Sequence, residues 1–185
     1  DSVGPAGGSN GAAGEGVSTI QVLLLAVPKE IITRLTKIAA LAKLELMALE
    51  QEAFSLTRAL IGNDKSAYVV VDLGRKSTDL IVVDQGFIKM SHNLDSISKE
   101  IILMELDRIV NIFQMRYNKK VGQCLLAGGR ANDKELMEFL SAKLKVPVKV
   151  GDPFARVVHD QQINDFLKEL GPQFSVAVGL AMREN

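Results

Sequence analysis

The sequence has no tryptophan, a single cysteine and few aromatic residues, and each shortage excludes a class of function. Aromatic residues make up 5% of the 185 positions, which argues against a surface on which nucleic-acid bases stack. Cys124 has no second thiol to pair with, so an internal disulfide framework is excluded and a reducing compartment is expected. Because it lies in an apolar run, we interpret Cys124 as a buried strand residue rather than a nucleophile.

The sequence also lacks an excess of either charge. It has 22 basic and 22 acidic residues, and like charges form no run. This balance argues against nucleic-acid binding as the main function. No apolar run approaches the roughly 18 residues of a membrane span, and no secretory signal pattern is present. His92 and His159 have no partners at metal-ligand spacing. The chain begins at Asp1 rather than Met, so we expect it to be a piece of a longer protein.

The first third of the chain combines a low-complexity stretch with alternating strands and helices. Residues 1–18 are mostly Gly, Ala, Ser and Asn, which predicts a flexible linker or loop without regular structure. The apolar patterns that follow predict a strand at 21–27, a helix at 29–41, a strand at 44–49 and a helix at 50–60. Glu50 and Glu52 open the last helix, and we interpret them as charges that complement the helix dipole rather than as catalytic acids.

The stretch from Ala67 to His92 predicts three strands joined by two turns. Its first turn carries polar groups suited to an anion and a metal ion. Gly74 allows the backbone to bend closely around a ligand, and Ser77 and Thr78 offer hydroxyl and N–H donors. Asp72 and Asp79 are carboxylates that Mg²⁺ accepts directly or through water. The alternative is a meander with an ordinary polar turn, because polar β-turns are common.

The second half predicts a long helix, a buried strand and then a glycine pair. The helix covers about 96–117 and the strand 121–127, which leads into Gly128, Gly129 and Arg130. Asn132, with Glu135 three residues later, predicts an N-cap and capping box. A glycine turn before a helix N-terminus favours a bound anion, although an ordinary tight turn is the alternative. The remaining pattern predicts a strand at 146–150 and helices at 160–170 and 173–183, so the fold class is α/β.

Several of these segments together resemble one protein family. They are the hairpin from Val69 to Asp79, the run from Leu125 to Gly129, Val146-Pro147-Val148 with Asp152-Pro153-Phe154, and the end from Val178 to Glu184. Their order is similar to that of the type IV pilus assembly protein PilM family, relatives of the cell-division protein FtsA. Residues 21–60 also resemble the small subdomain of PilM and FtsA and the helix that leads out of it.

The resemblance implies an actin-like (ribonuclease H-like) ATPase fold, here one lobe plus part of the small PilM/FtsA-type subdomain. The expected domains are a linker at 1–18, the subdomain part and its connecting helix at 19–62, and the actin-like lobe with a reduced insert at 63–185. ATP and Mg²⁺ are the implied cofactors. The implied site residues are Asp72, Gly74, Ser77 and Thr78 at the phosphates, Asp72 and Asp79 at Mg²⁺, and Gly128, Gly129 and Arg130 by the adenosine.

The resemblance also implies a cytoplasmic position, peripheral to the inner membrane through partners. The implied partners are the cytoplasmic tail of a bitopic PilN-like protein and the pilus motor platform, with self-association left open. The family's first phosphate hairpin is missing, the insert after His92 is short, and Arg75-Lys76 stands where small residues are often found. A site with half its donors cannot preorganise a transition state, so we expect a nucleotide-responsive scaffold rather than hydrolysis by this chain alone. The alternatives are an actin-like ATPase and an FtsA-like division protein.

Overall fold

The structure, a computed structural model, describes residues 22–183. Its contacts divide the chain into two units, residues 1–49 and 50–185, and each is described by itself. The linker predicted at 1–18 lies outside the described residues. The domain boundaries predicted at 18 and 62 stay predictions.

The first unit contains one helix, α1 (Lys29–Leu41), with the bounds that the sequence predicts. The strands predicted at 21–27 and 44–49 are wrong where the structure describes them, because residues 22–28 and 44–49 have no regular secondary structure. A strand needs a hydrogen-bonded neighbour, and these segments instead leave apolar side chains in solvent: Val22 is 82% and Leu24 88% exposed. Gln21 lies outside the described part of the chain.

The second unit is built on a mixed five-stranded sheet with the order β3-β2-β1-β4-β5. The strands are β1 (Tyr68–Leu73), β2 (Thr78–Asp84), β3 (Phe87–Leu94), β4 (Gln123–Ala127) and β5 (Val148–Val150). The first three form the predicted antiparallel meander. The strand β4 runs parallel to β1 on its other side, and β5 runs parallel to β4.

Both faces of the central strands are apolar, and alternation divides their side chains between two cores. Val69, Val71 and Leu126 face one core, and Val70, Ile81 and Leu125 face the other. Strands buried on both faces consist of nearly continuous β-branched and aliphatic residues, which is the pattern of Val69-Val70-Val71. The sheet is therefore a central layer between helices.

The helices of this unit are α2 (Glu52–Leu60), α3 (Lys99–Tyr117), α4 (Lys134–Lys143), α5 (Asn164–Leu170) and α6 (Ser175–Ala181). One core takes Ile102 and Leu106 from α3 and Leu136 and Leu140 from α4. The other core takes Ala53 and Leu56 from α2, with Val176 of α6 packed against it. No helix among residues 22–183 is long and apolar enough to cross a membrane.

The N-cap of α4 differs from the prediction. Asp133, not Asn132, caps the helix, since its Oδ1 accepts a hydrogen bond from the Leu136 N–H at 3.2 Å. Asn132 instead donates its side-chain amide to the Glu169 carbonyl at 2.6 Å. Glu135 pairs with Lys99 of α3, so the predicted capping box is not formed. Asn132 and Glu135 therefore bind residues of α5 and α3. Local sequence spacing does not reveal such contacts between distant segments.

Candidate functional site

The hairpin and the glycine pair lie side by side at one end of the sheet. Asp72 is the register partner of Ala127 in the parallel pair β1–β4, so Gly128 follows beside it. Gly128 has a φ of +85°, and a Cβ atom there would lie 2.4 Å from Asp72 Oδ1 and 2.6 Å from the Leu73 carbonyl oxygen. Arg130 donates its N–H to the same Leu73 carbonyl at 3.3 Å. The two turns therefore form one continuous surface.

The β1–β2 turn is closed by its own backbone. The Gly74 N–H donates to the Ser77 carbonyl at 3.0 Å. The Thr78 side chain is buried, and its hydroxyl donates to the Ser96 carbonyl at 2.9 Å. Because that proton is used inside the protein, the donors left to face an anion are those of residues 75–77. Arg75 and Lys76 are exposed at the tip and add positive charge there.

Three carboxylates gather near the same end of the sheet. Asp72 and Asp79 are directly opposite each other in the antiparallel pair β1–β2, which places them on one face of the sheet. Burial, and then the negative charges of Glu52 and Asp79, raise the pKa of Asp72 to about 6. Asp79 accepts a hydrogen bond from the Asn93 side-chain amide at 2.9 Å. A cation bound here would favour the ionised form of Asp72 and so oppose both the burial and the repulsion that raise its pKa.

Glu52 is the site residue that sequence reasoning missed. It begins α2, and a carboxylate at that position is already explained by the helix dipole. The structure shows that it also lines a cleft of about 260 Å³ together with Gln51, Asp79, Ser91 and Asn93. No local sequence signal separates this position from an ordinary helix start, because the fold alone brings α2 over the end of β1 and β2.

The carboxylates suit a metal ion that also binds water and phosphate better than a metal ion enclosed by protein ligands alone. In the part of the chain that the structure describes, no group of three or more His, Cys, Asp or Glu side chains has the geometry to hold a metal. Mg²⁺ commonly takes one or two carboxylates and completes its shell with water and phosphate oxygens. Asp72 and Asp79 match that mode, and their part in metal binding stays a prediction.

Beyond Gly128, the turn opens to solvent. A Cβ atom at Gly129 would meet nothing within 4 Å, so this side of the turn has room for a ligand. The Arg130 guanidinium reaches the Ile97 carbonyl at 3.4 Å and the Asp133 carboxylate at 3.4 Å. A second cleft, of about 250 Å³, includes Asn132 and Pro172 in its lining. Pro172 accepts the Gly128 N–H at 3.0 Å, which places this cleft beside the glycine pair.

An ion-pair cluster holds the start of α2 in place. The Glu50 carboxylate accepts two hydrogen bonds from Arg58, each 2.9 Å long, and one from Arg183 at 3.3 Å. Ser55 also donates to Glu50, and Arg58 donates to the Gly179 carbonyl of α6. The Arg58 hydrogen bond is the main reason that the pKa of Glu50 is lowered to about 2. The cluster ties α2 to α6 and so fixes the position of Glu52.

Comparison with solved structures identifies the fold. The "PilM-PilN type IV pilus biogenesis complex" has a TM-score of 0.72 at 20% identity, covering 84% of this chain and 58% of that chain. The ethanolamine utilization protein EutJ from Carboxydothermus hydrogenoformans has a TM-score of 0.59 at 18% identity, covering 85% and 62%. An MreB protein of Spiroplasma citri bound to AMPPNP has a TM-score of 0.52 at 12% identity, covering 84% and 64%. These similarities confirm the predicted actin-like α/β fold.

Part of the chain also matches a protein-family model. Residues 96–185 match the family model described as type IV pilus assembly protein PilM. The comparison with curated proteins found no match. The family-model match and the structural similarity to the PilM-PilN complex confirm the resemblance noted in the motifs. The chain spans 58% of the length of the matched chain in that complex.

Proposed function

We propose that this chain is an actin-like scaffold of a type IV pilus assembly platform, and that it binds the cytoplasmic tail of a PilN-like bitopic protein. The observation that carries the proposal is the structural similarity to the PilM-PilN complex, a match that covers 84% of this chain. The family-model match over residues 96–185 supports the same role. Through this partner the chain would lie at the cytoplasmic face of the inner membrane and connect the partner to the pilus motor.

We also propose that the second unit contributes one half of a nucleotide site. The turn at Gly74 and Ser77 would face the phosphates, while Gly128, Gly129 and Arg130 would lie by the adenosine. Asp72 and Asp79 would hold Mg²⁺, which neutralises phosphate charge when it is bound. The contact between Asp72 and Gly128 and the structural similarity to an MreB protein bound to AMPPNP support this assignment. Nucleotide would then regulate the scaffold rather than supply chemical work.

ATP hydrolysis is the second candidate function, and one observation favours it. The pKa of Asp72, raised to about 6, suits a general base near neutral pH. Asp72 would accept the proton of an attacking water, with Glu52 and Asp79 orienting that water. A transition state also needs preorganised donors around the developing charge, and the donors described above come from only two turns. Binding without turnover is therefore the leading function.

The experiment for the scaffold is a titration of the chain into a fluorescent peptide that carries the N-terminal tail of the cognate PilN-like protein. We expect saturable binding and a rise in fluorescence anisotropy, with no rise for a scrambled peptide of the same composition. Equal binding of the two peptides, or binding of neither, would overturn the partner assignment.

Calorimetry with Mg-ATP tests the half-site independently of the partner. We expect weak binding to the chain that is reduced for Asp79→Asn and unchanged for Asp165→Asn, a carboxamide change on an exposed carboxylate of α5. Phosphate release measured on the same samples separates the two functions. Turnover that Asp72→Asn abolishes would favour the ATPase, while binding without phosphate release would favour the scaffold.

A further inference from the structure

The end of the sheet opposite Asp72 is formed by four separate turns, which we call the basic end. They cover residues 62–67, 84–89, 116–122 and 143–147. Backbone hydrogen bonds join them: the Gly122 N–H donates to the Ala67 carbonyl at 2.8 Å, and the Cys124 N–H donates to the Pro147 carbonyl at 2.8 Å. The second turn belongs to the same end because Tyr68 is the register partner of Val83.

Basic side chains dominate these turns although the chain as a whole is neutral. The four turns contain seven basic residues and only two carboxylates. The basic residues are Lys65, Lys89, Arg116, Lys119, Lys120, Lys143 and Lys145. They are scattered through the sequence without forming a run, so the fold is what collects them.

The two carboxylates cancel only part of this charge, because the four turns have five more basic than acidic residues. Asp84 is buried and pairs with Lys119 at 2.9 Å. Asp64 accepts hydrogen bonds from the Tyr68 hydroxyl and the Ser66 N–H, both at 2.7 Å. Helix dipoles favour cations in a last helical turn, which accounts for Arg116 of α3 and Lys143 of α4. The other five basic residues lie outside those last turns, so the helix dipole does not explain them.

An exposed aromatic residue lies within the same end. Phe87 follows the β2–β3 turn and is 67% exposed. The ammonium group of Lys89 lies 5.6 Å from the centre of the Phe87 ring and 5.8 Å from that of Tyr117. An exposed aromatic ring with a cation beside it is suited to the boundary between lipid headgroups and acyl chains.

We propose that the basic end binds directly to an anionic phospholipid surface. Six of its seven cations are lysines, which act as hydrated point charges, whereas bidentate recognition of single phosphates favours arginine. The charges are spread over four turns, as contact with a broad charged surface requires. Clusters of four to eight basic residues next to a membrane attract anionic lipids by about 1 kcal/mol for each residue. The inference needs neither nucleotide nor the PilN-like partner.

Vesicle co-sedimentation of the whole chain tests the proposal. The chain is mixed with vesicles of phosphatidylcholine alone, or with vesicles containing phosphatidylglycerol, at low and high salt. We expect binding only to the anionic vesicles, with a loss at high salt because surface charges are screened. The variant Lys120→Glu/Lys145→Glu should lower the partition coefficient at least about tenfold, and Phe87→Ser should lower it less.

The matched control is Lys134→Glu/Lys168→Glu, which changes the net charge equally at exposed positions away from the basic end. We expect it to bind anionic vesicles nearly as well as the unchanged chain. An equal loss for both variants, or equal binding to neutral vesicles, would overturn the proposal. So would binding of the basic end to an acidic peptide or an oligonucleotide without binding to vesicles. Circular dichroism of each variant verifies that it remains folded.

Discussion

The Asp72 carboxylate and the Cα atom of Gly128 are in contact at the ends of two parallel strands, so that a methyl group on Gly128 would lie 2.4 Å from Asp72 Oδ1. This contact joins a hairpin and a turn through two residues that are 56 positions apart in the sequence. It also explains why a glycine is needed after β4, since its backbone conformation and its neighbours both exclude a side chain. The candidate site therefore depends on close backbone approach as well as on charged groups.

Gly128→Ala is expected to destabilise the second unit by about 2 kcal/mol or more. An L-residue pays roughly 1–2 kcal/mol for a left-handed conformation, and the φ of Gly128 is +85°. The added methyl group would also meet Asp72 and the backbone of Leu73, which cannot move without disturbing β1. Urea denaturation, followed by circular dichroism, measures the change.

Gly129→Ala is the matched control for this prediction, because a Cβ atom there meets nothing within 4 Å. It should change the stability by no more than about 0.5 kcal/mol. A Gly128→Ala variant as stable as Gly129→Ala would show that Asp72 and Gly128 are not in contact in solution.

Asp72→Asn is expected to stabilise the chain near neutral pH, by on the order of 2 kcal/mol. Burial and nearby negative charge raise the pKa of Asp72 from 3.8 to about 6, so its ionised form is disfavoured in the folded state. Between those two pH values the folded chain holds a proton that the unfolded chain has lost. The contribution of Asp72 to stability is therefore present below pH 3.8 and is lost as the pH rises to about 6.

Unfolding free energies of the unchanged chain and Asp72→Asn, measured from pH 4 to pH 8, test this linkage. The two curves should lie close together at pH 4 and separate as the pH rises. Mg²⁺ with ATP should narrow the separation by stabilising the ionised carboxylate of the unchanged chain. Curves that stay parallel throughout would mean that Asp72 titrates as an ordinary exposed carboxylate.

The sequence predicted the parts of the second unit whose structure is decided locally. Three features are predicted from patterns among neighbouring residues: the run Val69-Val70-Val71, the polar turn and the Gly128-Gly129 pair. The structure contains the corresponding strand and both turns. The resemblance to PilM-like proteins added that the two turns belong to one nucleotide site, and the structure places them side by side. The metal and nucleotide roles of Asp72 and Asp79 stay predictions.

Features that depend on distant residues could not be predicted from patterns. Residues 22–27 and 44–49 are as apolar as a strand, but a strand exists only where a neighbour pairs with it, and the described residues provide none. Glu52 has the properties of a helix start and becomes a site residue only because α2 packs over the sheet. The basic end is likewise invisible in the sequence, since its lysines come from four separate turns.

Glu50→Gln is expected to lower the free energy of unfolding at pH 7 by about 2 kcal/mol, because breaking a mostly buried ion pair leaves a charge without its partner. The Glu50 side chain is 9% exposed and pairs with both Arg58 and Arg183. Its pKa is lowered from 4.5 to about 2, so its contribution is present above pH 4.5 and is lost as the pH falls to about 2. The difference between the unchanged chain and Glu50→Gln, measured by urea denaturation, should shrink over that range.

Asp165→Asn provides the comparison for Glu50→Gln, since Asp165 pairs with Lys168 while its side chain is 98% exposed. Exposed pairs of this kind contribute little, typically about 0–1 kcal/mol. If both substitutions had the same small effect, Glu50 would not anchor α2 to α6.

Gly179→Ala separates helix propensity from helix packing. Alanine is favoured over glycine in a helix by about 1 kcal/mol, so propensity alone predicts that the substitution in α6 is stabilising. A Cβ atom at Gly179 would, however, lie 2.0 Å from the Ser55 carbonyl oxygen and 2.9 Å from Ser55 Cα. These are backbone atoms of α2, and the two helices would have to move apart. We therefore expect a loss of about 1–3 kcal/mol.

Ala177→Gly tests the same competition at an exposed position of α6, where no close packing opposes the propensity. It should destabilise by about 1 kcal/mol, so glycine is expected to be the worse residue at 177 and the better one at 179. Urea denaturation of both variants measures this reversal. A stabilising Gly179→Ala would mean that α2 and α6 are further apart in solution. The Arg58 hydrogen bond to the Gly179 carbonyl would then be absent, and it would no longer hold Glu50 and the start of α2 in place beside the sheet.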